Sequence, residues 1–139
     1  MIPARRIFEM FAAVYGGFYG LWVETVLRVS DHPSLWWTGL DGSGAHVVAR
    51  ILIAAGLIHG LGIRVNGRWV YSPVLRSIGM ATFCGVFIWL ATHTIYPLST
   101  ATFNYFFIGL VLFIGLLSAL SDARTAILRR FVWTSSLSN

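Results

Sequence analysis

The sequence predicts an all-α membrane protein of four transmembrane helices with both termini on the cytoplasmic side. Three observations lead there. No charged side chain stands between Arg76 and Asp122. Hydrophobic residues make up 57% of the chain and charged residues 11%, against about 25% charged in soluble domains. The arginines, finally, are split unevenly between the two sides that four crossings would define. At 139 residues the chain has room for one compact unit, so 1–139 is read as a single integral membrane domain.

The first span is placed at about 7–29 and carries Glu9 and Glu24. Arg5-Arg6 followed by apolar Met10 to Val23 has the outline of a signal peptide, but no small-x-small cleavage site follows, and the segment is read as a retained helix. The second span, about 45–65, carries Arg50 and Arg64. The uncharged centres of these spans are only 14 and 13 residues long, whereas a bilayer core of about 30 Å needs roughly 20. Long charged side chains near helix ends reach back to the headgroups and restore a spanning length. The third and fourth spans, about 77–96 and 102–121, are separated by Pro97-Leu98-Ser99-Thr100 and are long enough without that help.

Residues 122–139 form a cytoplasmic tail. Within it Ala123 to Trp133 sets Ile127, Leu128, Phe131 and Val132 to one side and Arg124, Arg129 and Arg130 elsewhere. Two readings stay open: a short basic helix lying in the interface, or a plain extension of the fourth span. The outer connection, Ser30 to Gly44, holds His32-Pro33, Trp36-Trp37 and the turn-forming Asp41-Gly42-Ser43-Gly44. In the inner connection Asn66-Gly67 and Ser72-Pro73 flank Arg68-Trp69-Val70-Tyr71, a candidate surface hairpin.

With the N-terminus inside, eight of the ten arginines fall on the cytoplasmic side and only Arg28 and Arg50 outside, the asymmetry expected of inner loops. A net charge of +5 raises the question of nucleic acid, yet the arginines sit at the edges of apolar runs, so anionic lipid headgroups are the expected partner.

Helical spacing puts Glu9, Ala13, Gly16, Gly20 and Glu24 on one face of the first span, and Arg50, Ala54, Leu57, Leu61 and Arg64 on one face of the second. The acidic pair is separated by about 22 Å and the basic pair by about 21 Å along a helix. An antiparallel hairpin would therefore pair Glu24 with Arg50 and Glu9 with Arg64. A charge in a span is costly unless paired or wetted. The pairs are read chiefly as locks on the hairpin, with an ion or proton path along Glu9 and Glu24 as the alternative. Gly16 with Gly20 and Gly56 with Gly60 are small-residue patterns that admit close helix packing. If the arginine face meets the first span, the Gly56-Gly60 face is left for another span or a second copy.

The remaining polar inventory is thin. Cys84 is alone in an apolar run and reads as a small buried hydrophobe. His59 and His93 lie at different depths and make a poor haem pair; His32, His46 and His93 could meet near one side, but without metal-ligand spacing. His59 is read as a hydrogen-bond donor between helices, and no cofactor or metal is expected. With no nucleophile elbow, phosphate loop or carboxylate dyad, the expectation is of a protein that is not an enzyme.

Gly62-Ile63-Arg64-Val65-Asn66-Gly67-Arg68-Trp69 with Ser72-Pro73-Val74-Leu75-Arg76 resembles the cytoplasmic connection of small uncharacterised polytopic membrane proteins of tailed bacteriophages and bacteria. That resemblance implies residence in a bacterial inner membrane and a holin-like role, oligomerisation that permeabilises the bilayer. Three functions follow in order of expectation: a structural or accessory protein acting through helix contacts with itself or a larger membrane assembly, a holin-like protein, and a haem- or metal-carrying subunit of an electron-transfer complex.

Overall fold

The computed structural model describes residues 4–29, 42–66, 69, 71–93 and 100–136, and within these the side chains of 7–25, 43–66, 69, 71–93 and 100–128. Four helices follow in order: α1 Ala4–Val29, α2 Gly42–Arg64, α3 Ser72–Thr92 and α4 Thr100–Ser136. Three are long and apolar enough to cross a membrane: Ser43–Arg64, Ser72–Thr92 and Thr100–Leu128. At 26 residues α1 has the length for a crossing, about 39 Å, but charges near both its ends shorten its apolar run.

Local chemistry explains the boundaries. Pro73 occupies the first turn of α3, where its missing N–H is of no consequence, and so α3 starts at Ser72 rather than Ser77. That earlier start takes Arg76 into the helix. Between α2 and α3 the backbone turns through Asn66 N–Ile63 O and Ser72 N–Trp69 O bonds; Gly67, Arg68 and Val70 of the candidate hairpin lie outside the described residues. Beyond Asp122 no break occurs. α4 is one helix of 37 residues, about 55 Å long, so the tail extends the fourth helix and is not a separate interfacial helix. Ser30 to Asp41, with His32 and the Trp36-Trp37 pair, lies outside the described residues.

Successive helices are antiparallel and pack α1 on α2, α2 on α3 and α3 on α4; α1 meets α4 only slightly. The core runs along α3, where Met80, Phe83, Phe87 and Leu90 are fully buried against Val23, Ala49 and Leu52. Tyr19, Phe87 and Tyr105 gather around one point with their rings tilted, centroids 5.6 Å (Tyr19–Phe87) and 6.1 Å (Phe87–Tyr105) apart, and the Tyr19 and Tyr105 hydroxyls share a 2.8 Å hydrogen bond.

The α1–α2 contact is a backbone approach over small residues. A Cβ on Gly56 would come within 2.8 Å of Gly17 Cα, and one on Gly20 within 2.7 Å of the Ala49 carbonyl oxygen. Gly56 thus belongs to the face that meets α1, which corrects the expectation that this face would be free. The arginine stripe of α2 takes the opposite orientation: Arg50, Ala54, Leu57, Leu61 and Arg64 are all exposed.

Candidate functional site

One charged residue or histidine from each helix meets at one level of the bundle. Arg76, on the second turn of α3 and 4% exposed, donates from Nη1 to Glu9 Oε2 on α1 at 2.7 Å and from Nη2 to Asp122 Oδ2 on α4 at 2.9 Å. His59 on α2, fully buried, places Nδ1 2.8 Å from the Arg76 carbonyl oxygen and Nε2 3.2 Å from that of Glu9. Both partners are acceptors. A neutral imidazole has one N–H and can donate to only one of them, and the shorter distance assigns that proton to Nδ1. The Arg76 Nε, also buried, has no hydrogen-bond partner among the described residues.

Glycines make room for this node. A Cβ on Gly79 would lie 2.5 Å from the His59 Cβ, and one on Gly62 would lie 2.9 Å from the Arg76 Cγ. Phe83 closes the node toward the bundle centre, edge-on to the His59 ring at 6.3 Å. In such a setting the guanidinium is useful because its planar fork serves two carboxylates at once. Taking away one member of a buried pair costs about 3–5 kcal/mol, since the other charge stays behind.

Of the expected pairs one is redrawn and the other, Glu24 with Arg50, is kept as a loose contact. Glu9 binds Arg76, not Arg64, which is exposed at the end of α2. Equal spacing along two helices sets the depth of a pair but says nothing of rotation, and α2 is rotated so that its small residues, not its arginines, face α1. At the other end Glu24 has His46 as its close partner at 2.8 Å; Arg50 stands at 3.9 Å, with its side chain 70% exposed. Helical spacing does not point to His46 or Asp122 as partners, and a third span at 77–96 leaves Arg76 outside the helix. The Glu9-Gly16-Gly20 stripe does face inward: all three residues are buried, Gly16 beneath the Phe83 ring. Gly60 has open space around it.

The other histidines do not gather. His93 stacks on Trp89 at 4.6 Å and hydrogen-bonds within its own helix end, to Trp89 O and Thr92 Oγ1. Among the described residues no three His, Cys, Asp or Glu side chains are grouped as a metal would require, and His32 is outside them. Cys84 is buried, its thiol 3.5 Å from the Gly109 carbonyl oxygen.

Between α1 and α4 the bundle is open. The two helices are linked at the Tyr19–Tyr105 hydrogen bond and, through Arg76, at the Glu9–Asp122 node. Between those ties runs an apolar cleft in two adjoining parts of about 270 and about 240 Å³, with Phe8 and Val111 lining both. No family model, curated protein or solved structure matches the chain.

Proposed function

We propose that this chain is a small accessory protein of a bacterial inner membrane, crossing it four times with both termini inside, which works by helix association with itself or with a larger membrane assembly. The polar side chains of the node hold the chain's own helices together. What supports association is the outer face of α3. Ala81 and Gly85, one turn apart, are exposed between Ile78 and Trp89, and nothing lies within 4 Å of where a Gly85 Cβ would stand. In lipid, close contact over small residues drives helices together where the hydrophobic effect cannot. α1 fits the same environment, since Phe11, Val14 and Phe18 are each more than 60% exposed along one stripe.

The test is the mass of the particle extracted in native lipid. Gly85→Leu and Ala81→Leu, neither touching the core, are expected to reduce the assembly to single chains while helix content and thermal unfolding stay as in the parent. An unchanged particle mass with both substitutions, or single chains in the parent, would refute the proposal. Dye release from vesicles carrying the protein would favour the permeabilising role instead, and a stoichiometric haem band the electron-transfer one.

A further inference from the structure

We infer that the cleft between α1 and α4 is a lipid site that holds one acyl chain of an anionic phospholipid. The cleft follows α4 from Phe107 to Ser118, a length of about 16 Å at 1.5 Å per residue. Its two parts, about 270 and about 240 Å³, adjoin as one half-open apolar groove, a shape that takes an extended hydrocarbon chain. The walls suit a chain lying parallel to the helices: Phe11, Tyr15, Phe107 and Val111 line them.

Charge selects the headgroup. The cleft ends at the node, and the arginines concentrate at that end of the bundle. Arg5 and Arg6 are in the first turn of α1, Arg64 ends α2, and Arg124, Arg129 and Arg130 follow Asp122 on α4. A phospholipid with its chain in the cleft carries its phosphate toward that basic end, and positive charge at the surface attracts an anionic headgroup.

The full chain in vesicles containing phosphatidylglycerol or phosphatidylcholine with a photoreactive diazirine on the acyl chain provides the test. Labelling is expected to concentrate on the half-buried Phe8, Ile108 and Val111, and to be stronger with phosphatidylglycerol. Filling the cleft by Val111→Trp should lower labelling there about tenfold, with the outward residues Leu57 and Phe103 labelled as before. Native mass spectrometry of the unmodified protein gives a readout independent of that variant, and should find one phosphatidylglycerol per chain surviving detergent exchange. Label spread evenly over the exposed faces, or no retained lipid, overturns the site. Equal labelling by both lipids overturns its anionic selectivity, and cross-links to a second chain within the cleft would replace the lipid by protein.

Discussion

Arg76 is the residue on which the packing of three helices converges. It sits 67 positions from Glu9 and 46 from Asp122, and α1 reaches α3 and α4 over only a small area, so these two ion pairs carry much of the connection. Replacing Arg76 with Gln leaves the buried Glu9 carboxylate and the partly exposed Asp122 without it and is expected to destabilise the fold by about 3–5 kcal/mol, whereas Arg64→Gln, on an exposed position, should stay within about 0.5 kcal/mol. Reversible unfolding in mixed micelles measures both. In a double-mutant cycle Glu9 should couple to Arg76 and not to Arg64; coupling to Arg64 instead would contradict the arrangement. The sequence did contain a sign of the node. Arg76 and Asp122 are the charges that bracket the longest uncharged run, and folding that run as a hairpin brings its two ends side by side. As the limits of that run they mark where two helices end; their opposite sign is what lets those ends bind.

At the scale of helices, length was legible and rotation was not. Uncharged runs mark the spans because a charge in hydrocarbon is costly, and all four helices lie where those runs are. Rotation is harder, since a lipid-facing surface is as apolar as a core and the polar–apolar contrast that orients a helix in water is missing. Small residues are the better guide, and α2 illustrates the difference between packing and pattern. Gly56 is pressed against Gly17, whereas Gly60, one turn on, faces open space. Gly56→Leu is therefore expected to force α1 from α2, seen as loss of thermal stability and increased reactivity of the buried Cys84 thiol. Gly60→Leu should leave both measurements at the parent values. Equal damage from the two would mean that α2 is rotated differently. The continuity of α4 was half legible: the apolar and basic positions of 123–133 fit a helix, but nothing in them decides whether it bends away from the fourth span.

For the whole molecule, antiparallel packing of consecutive helices places the Glu24–His46 pair at one end and the Arg76 node at the other. In the topology proposed above the node lies on the cytoplasmic side, where most of the arginines fall. A cysteine at Gly42 in a Cys84→Ala background is expected to react with a membrane-impermeant thiol reagent from the outside; reaction from the cytoplasm alone would invert the assignment. The node also imposes an order in time. Glu9 leaves the ribosome 67 residues before Arg76, an interval of about 3–13 s at 5–20 residues per second. Throughout that interval the guanidinium that later receives its carboxylate has not been made. The first helix is thus placed provisionally, and its final seating in the bundle waits until the third has been synthesised.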